Sequence, residues 1–573
     1  MKKSLSILIC VVMFLSLLTG CTPTAQQSIS NTYEVEVEGH NGPIKLAVEI
    51  GEEIIKSITI VDHSETAGIS DGAIEKIPAA IVESQSLSID VVAGATVSSK
   101  AIISGVEKAI AQAKLDIEKF KEPIEKAALI QGETEETDIV IVGAGISGIM
   151  GAMELQKNYP DLDFIILEKL PVIGGSIVTT GGAIFGIDSR SHKDNGIVTN
   201  MDDVISYLES SSNTNLNRDL IANVFSLSGE TIDWLVDLGL PLEEELKLAS
   251  PHNDNMYAAW TVGGGKAFYD FLEKAIPSQE FDLRTESKVT ELVVEGNVVK
   301  GVIVQDKEKE YKILADKVIL STGGFGSNPE LMKKFAPAYA EGVISTHAGA
   351  TGDGILLTEQ FNTAIVGDGT MGTAVAPDKS KLITSTFMIN KDGHRFHNEV
   401  DALYRIQRAI VDNAGGESYV IADGNYADKE IIEKAITDGV VKKFSSLEEL
   451  ADDIGINKEN LIKEVKAYNK AIEAGISPGY NLPGEKAIPI KDAPFYVSSA
   501  VRRTFGTIPG IKITGNCEVV NGDNTPITNL YAAGELTAGN AFSRQYPGAG
   551  IGISYAANSG RYAARQAALS IIK

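Results

Sequence analysis

"TDIVIVGAGISGIMGAMELQ", residues 137 to 156, reads as a strand that runs into a turn and then a helix. The apolar run Ile139 to Val142 makes the strand, and Gly143, Gly145 and Gly148 follow at Gly-x-Gly-x-x-Gly spacing, with Ser147 inside the same turn. Glycines so spaced permit a tight turn and bring bare backbone to a helix N-terminus, where free N–H groups and the helix dipole favour a pyrophosphate. After the helix, "DFIILEK" (163–169) supplies a second strand. It ends at Glu168, about 20 residues past the last glycine, where an acidic side chain holds a ribose hydroxyl. Strand, fingerprint, helix and acidic strand end, in that order, specify a dinucleotide-binding α/β unit.

Four later stretches narrow the cofactor. "EKLPVIGGSIVTTGGAIFG" (168–186), "KVILSTGGFGSN" (317–328), "HAGATGDG" (347–354) and "NLYAAGELTAGNAFSRQYPGAGIGISYAANSGR" (529–561) follow in sequence. Together they resemble the FAD-contacting segments of the fumarate reductase, urocanate reductase and 3-ketosteroid dehydrogenase flavoprotein superfamily, over residues 134 to 573. The resemblance implies FAD contacts at Gly174, Gly175, Ser176, Gly181, Gly182, Thr351, Gly352, Asp353, Gly354, Glu535, Gly552 and Ile553. It also implies that the last glycine-rich turn opens a helix aimed at the flavin ring, whose dipole favours negative charge there. No histidine stands at a matching place near Gly174–Gly175 to carry FAD covalently, so noncovalent FAD is expected.

Residues 368 to 505 mix short strands, as in "TSTFMINKDGHRF" (384–396), with amphipathic helices, as in "NKENLIKEVKAYNKAIEAG" (457–475). This resembles the clamp, or capping, domain of the superfamily, which closes over the substrate. The expected fold class is therefore α/β: a Rossmann-like FAD-binding domain in two parts (137–367 and 506–573) with an inserted α+β clamp (368–505).

Ahead of it, residues 32 to 115 read as a small α+β domain. "TYEVEVEG" and "IIKSITIVDH" alternate like strands, and "KAIISGVEKAIAQAK" is patterned as a helix. Between them stands "SIDVVAGATVSSKAI" (88–102). It resembles the flavinylation motif of FMN-binding domains: Asp90, Gly94, Ala95, Thr96 and Ser98 match, with Ala93 in place of the usual serine, and "DHSETAGI" (62–69) matches a second recurrent stretch. The resemblance implies covalent FMN, attached by a flavin transferase, with Ser98 as acceptor. A hydroxyl at a helix start leaves N–H groups to face the phosphate. Charged residues 116 to 136 read as a linker.

The chain opens with Lys2, Lys3 and an apolar run from Leu5 to Leu18, too short for a stable membrane span. It stops at "LLTGC", which resembles a bacterial lipobox, so residues 1 to 21 are expected to be a lipoprotein signal with Cys21 as lipidation site. Cys10 and Cys21 belong to that signal, which leaves Cys517 without a disulfide partner. With seven histidines at no close ligand spacing, no metal site is expected. A net charge of −26 argues against nucleic acid, whose phosphates need a basic surface.

"NAFSRQYPGAGIG" (540–552) sets one phenol and one guanidinium among glycines. Fumarate reductases of the superfamily place histidines and arginines around a dicarboxylate. Here "RRTFGTIPGI" has Phe505 or Gly506 where such a histidine would stand, "TMGTAVAP" lacks another, and "VDALYRIQR" puts Tyr404 and Arg405 near the displaced proton-donating arginine. "YPGAG" instead resembles the ketone-binding turn of 3-ketosteroid dehydrogenases, with Tyr546 and the Gly550 N–H on a carbonyl oxygen and Tyr404 or Arg405 exchanging a proton with carbon. Arg544 stands near a carboxylate-binding arginine of the reductases, so the turn reads either a carbonyl or a carboxylate. His394 and His397 in "GHRFHNE" lie in a segment that is mainly a structural turn in the superfamily, and Gly263 to Gly265 are backbone-contact candidates.

These expectations converge on a lipid-anchored, extracytoplasmic reductase. Electrons would come from a membrane electron-transfer chain or another flavinylated protein, through FMN and FAD, to the activated C=C bond of a small enone or α,β-unsaturated acid. The alternatives are an oxidative 3-ketosteroid-like dehydrogenase and a non-catalytic electron-transfer lipoprotein.

Overall fold

A computed structural model describes residues 30–39, 42–65, 70–89, 91–92, 95–122, 129–275, 281–375, 387–399, 401–426, 429–480 and 487–572. Cys21, Asp90, Ala93 and Gly94 lie outside the described residues. The chain divides into two units, Met1–Lys126 and Ala127–Lys573.

In the first unit, period-2 patterning makes an antiparallel sheet in the order Ser30–Glu38, Pro43–Gly51, Ile54–His63. Ile44, Leu46 and Val48 of the middle strand point to one face and are buried, as alternation requires. Helices Asp71–Ser84 and Thr96–Gln112 cover that face with Ile77, Ile81, Ile102, Val106 and Ile110, spaced at helical intervals. The expected linker is corrected at both ends. The 3₁₀ turn Ile117–Phe120 buries Phe120 in the small domain's core, and strand Ile130–Gln131 pairs with Lys309–Leu320 in the second unit.

The second unit is built on a nine-stranded sheet, whose central strands Phe164–Leu167, Glu135–Val142 and Lys309–Leu320 are mutually parallel, with Pro526–Ala532 parallel to the last. The strand before the fingerprint is longer than its apolar run and begins at Glu135. In register, Val142 lies opposite Leu167 and Leu320, and Leu320 opposite Ala532. The four carboxyl ends therefore share one edge, where ligands of open α/β sheets bind. The C-terminal helix Ile551–Ile572 packs on helix Ile146–Asn158. The pair is fastened by fully buried Arg561, whose Nη2 lies 2.8 Å from Glu154 Oε2, and by Arg565 on the same carboxylate. Removing one partner of such a pair would leave a buried charge uncompensated.

The clamp is a six-stranded sheet organised around the long strand Phe495–Thr507. Phe387 and Ile389 face one apolar cluster and Met388 the other, so helices cover both sides of the sheet. Two expected boundaries shift: the long strand crosses residue 505, and Val343–Ile344, from the first FAD segment, pairs with it. The clamp is thereby hydrogen-bonded into the FAD-binding part rather than hung from it.

Candidate active site

The shared strand edge opens into a cavity of about 410 Å³. Gly143, Glu168, Ser321 to Gly323 and Gly534–Glu535, the residues that follow the four strands, all line it. So do Gly145, Ser147, Gly174, Gly175, Ser176, Gly181, Asp353, Gly552 and Ile553. Gly148 does not, because its role is inside the turn: a Cβ there would sit 1.9 Å from the Gly143 carbonyl oxygen. The helix that follows starts at Gly145 with no side-chain cap, although its first turn is buried. A buried helix start without a cap calls for an anion to satisfy its N–H groups.

Glu168 is held by the Ala144 N–H at 2.9 Å and the Leu170 N–H at 2.8 Å. Burial pushes its carboxyl above the usual range, against those two bonds. Each oxygen keeps a second lone pair for a hydroxyl donor. Beside it, Lys169 is paired with Asp353 and lies 2.5 Å from Thr351 Oγ1. Thr351, Gly352, Gly354 and Gly182, expected as direct contacts, stand one layer behind the lining: Gly352 N–H donates to Gly324 O, and Gly354 N–H to Thr322 Oγ1. Glu535, held through Oε1 by the Thr507 N–H at 2.7 Å and hydroxyl at 3.0 Å, is raised by burial to about 6. Glycine backbone, an uncapped helix start and an acid at the strand end fit an FAD.

Aromatic side chains form the rest of the lining. Tyr404, in the first turn of helix Leu403–Asp412, meets Tyr546 edge to face at 5.8 Å and 87°, and Phe542 meets Tyr546 at 6.3 Å and 90°. Phe505 and Trp260 also line the cavity. Burial raises the Tyr546 phenol to about 12, opposed by a hydrogen bond from the Gly552 N–H, and burial raises Tyr404 further. Both phenols are therefore neutral donors at physiological pH. Gly550, at φ +76°, turns the chain into the last helix; a Cβ there would stand 2.8 Å from the Phe185 nitrogen.

The two arginines expected at the site, Arg544 as a carboxylate binder and Arg405 as an alternative proton donor, lie elsewhere. Arg544 is exposed and near two carboxylates, Asp368 at 3.8 Å and Asp412 at 3.6 Å. Arg405 follows Tyr404 on the helix and so points about 100° away. It lines a separate cavity with Ser210, Ser211, Arg408 and Gln545. Among the described residues no arginine lines the main cavity; its lysines are Lys169 and Lys288. His394 is paired with Glu464, and His397 is buried against Met388 Sδ at 3.0 Å, both away from the cavity. Gly263 to Gly265 are likewise absent from the lining, Gly265 being pressed against the Thr180 carbonyl.

In the small unit, helix Thr96–Gln112 also starts without a side-chain cap, which suits a phosphate. Ser98 does not face outward, however. It is 2% exposed, hydrogen-bonded to buried Glu65 and 3.2 Å from Ser70 Oγ, so its hydroxyl must leave that cluster before it can be esterified. Sequence reasoning missed Trp260 and Phe542 as lining, and Ser250 and Tyr207 behind Tyr404. Trp260 stands three residues before the glycine run that begins at Gly263, a signal within reach; the other three show themselves only through tertiary contacts.

Residues 138–553 match the FAD binding domain family, and residues 39–111 the FMN-binding domain family. Among curated proteins, the chain is 29% identical over 89% of its length to NADH:acrylate oxidoreductase of Vibrio harveyi, and spans 58% of that relative. It is 26% identical over 90% of its length to urocanate reductase of Eggerthella lenta, of which it covers 91%. Among solved structures, the 3-ketosteroid-Δ4-(5α)-dehydrogenase of Rhodococcus jostii RHA1 superposes with a TM-score of 0.64 at 22% identity, covering 76% of this chain and 97% of that one. A single family thus accounts for the cavity's cofactor edge, and the chain belongs to the FAD binding domain family, with an FMN-binding domain preceding that domain in sequence.

Proposed function

We propose that this chain reduces a C=C bond conjugated to a carbonyl group. The observation that carries this reading is the neutral phenol pair, Tyr404 and Tyr546, in a cavity from which Arg405 and Arg544 are absent. Bound FAD supplies the two-electron chemistry. Tyr546 donates to the substrate's carbonyl oxygen, with the Gly550 N–H as second donor, and so stabilises the enolate oxygen that develops. Tyr404 gives its proton to the α-carbon. Phe505, Phe542 and Trp260 exclude water and hold a flat apolar substrate.

The relatives named above act on acrylate and urocanate, both unsaturated acids, so the carboxylate alternative has a direct test. Arg544→Ala is expected to leave kcat/KM for any reducible substrate within about twofold of wild type, since exposed ion pairs contribute about 0–1 kcal/mol. A loss above tenfold, with KM rising for acids only, would return Arg544 to the site.

We further propose that the protein works outside the cytoplasm, anchored through Cys21, and that electrons reach FAD from a membrane donor by way of FMN. The lipobox and the paired flavin domains support this. Turnover driven by membrane vesicles is expected to be lost in Cys21→Ala and in the Thr96→Ala, Ser98→Ala double variant, while turnover driven by a soluble reduced dye persists in both. Undiminished membrane-driven turnover in either variant contradicts the corresponding step.

A further inference from the structure

We propose that Ser250 and Tyr207 are positioning residues for Tyr404, forming a closed cluster of three hydroxyls that shares the charge left when Tyr404 gives up its proton. This rests on the assignment of Tyr404 as proton donor.

Three elements from distant parts of the chain bring the cluster together: Tyr404 on helix Leu403–Asp412, Ser250 at the end of strand Lys247–Ser250, and Tyr207 on helix Met201–Ser212. The Tyr404 hydroxyl lies 3.0 Å from Ser250 Oγ, and the Tyr207 hydroxyl 2.6 Å from the same atom. The Tyr207 hydroxyl also lies 2.6 Å from the carbonyl oxygen of Pro547, in the turn that carries Tyr546 and Gly550. Ser250 is fully buried and Tyr207 nearly so, which closes the cluster to solvent on that side. A second contact joins the same two elements: the imidazole of His252, two residues past Ser250, lies 2.5 Å from Asp401, three residues before Tyr404.

The cluster balances its protons in both states. Before transfer, Tyr207 donates to the Pro547 carbonyl, Tyr404 donates to Ser250 Oγ, and the His252 N–H donates to Ser250 Oγ at 3.2 Å. When the Tyr404 proton moves to carbon, the O–H bond breaks, its electron pair stays on the phenolic oxygen, and a C–H bond forms at the α-position. Tyr404 then only accepts. Ser250 rotates its O–H to donate to that oxygen, and the lone pair it frees takes the Tyr207 O–H. Only the proton given to carbon leaves the cluster; the Ser250 and Tyr207 protons stay within it, and the new anion gains a charge-assisted hydrogen bond. Without Ser250, a buried phenolate would face desolvation with no donor from this side. Burial and then the neighbouring Tyr207 push the Tyr404 phenol up, and the Ser250 hydrogen bond opposes that shift.

The test uses full-length holoenzyme reduced by a viologen dye, with a 3-oxo-Δ4 steroid and a small aliphatic enone as substrates. Ser250→Ala is expected to lower kcat about ten- to a hundredfold, as for a lost hydrogen bond to a charged group, with KM within about twofold and FAD content unchanged. The solvent deuterium isotope effect on kcat should rise, because proton transfer becomes more limiting. Tyr207→Phe, which keeps the ring, is expected to act in the same direction by roughly threefold, and it carries the test if Ser250→Ala fails to fold. If Tyr404→Phe loses activity while kcat and the isotope effect are unchanged in both other variants, the cluster is structural and the donor assignment stands. A fully active Tyr404→Phe overturns the donor assignment and this proposal with it.

Discussion

Tyr546→Phe is expected to lower kcat by about two to three orders of magnitude, the loss seen when one oxyanion donor is removed. The ring would stay where it is, because its edge-to-face contacts with Tyr404 and Phe542 do not involve the hydroxyl. FAD content and the visible flavin spectrum should therefore match wild type, which separates lost catalysis from lost structure. The hydroxyl is suited to the role because burial raises its phenol to about 12, so it keeps its proton at neutral pH. A decrease below about fivefold, measured as dye-driven turnover of an enone, would remove Tyr546 from the chemistry.

Glu535→Gln is expected to stabilise the flavin-free protein at pH 8 by about 2 kcal/mol and by less than about 0.5 kcal/mol at pH 4.5. Burial raises this carboxyl from 4.5 to about 6, so the folded state binds the proton more tightly than the unfolded chain does. The stabilising contribution is complete below 4.5 and is lost as pH rises through about 6. Glutamine, neutral throughout, does not lose it. Glu168, also raised by burial, and His347, lowered by burial to about 4, titrate in both proteins and cancel from the difference. Chemical denaturation at the two pH values measures it, and an equal difference at both would show that Glu535 does not titrate in this window.

What could be read from the sequence follows from how local each signal is. The fingerprint at Gly143, Gly145 and Gly148 is local: the spacing itself makes the turn, and a Cβ at Gly148 would meet the Gly143 carbonyl within the same loop. Glu168 was legible because a strand's length fixes where its end falls. The "TGDG" contacts were legible only as a group, since the Lys169–Asp353 pair decides that Asp353 reaches the cavity while Thr351 stays behind it. The arginines were not legible. Tyr404 and Arg405 are adjacent in sequence, but one helical step sends one side chain into the main cavity and the other into its neighbour. Arg544 is two residues from Tyr546, yet it is exposed beside Asp368 and Asp412 while Tyr546 lines the cavity. The burial of Ser98 was not legible either: its spacing matches the motif, while its contact with buried Glu65 joins residues 33 positions apart.

The central claim, that the cavity reads a conjugated carbonyl through two phenols, is tested most directly by an anaerobic assay of the flavin-loaded protein. Viologen reduced by dithionite would supply electrons while candidate acceptors are added in turn: fumarate, urocanate, cinnamate-type acids, and 3-oxo-Δ4 and Δ1 steroids. Dye reoxidation by the enones, with little or none by the acids, is the predicted result. Faster reoxidation by the acids, or none across the whole panel, would contradict it.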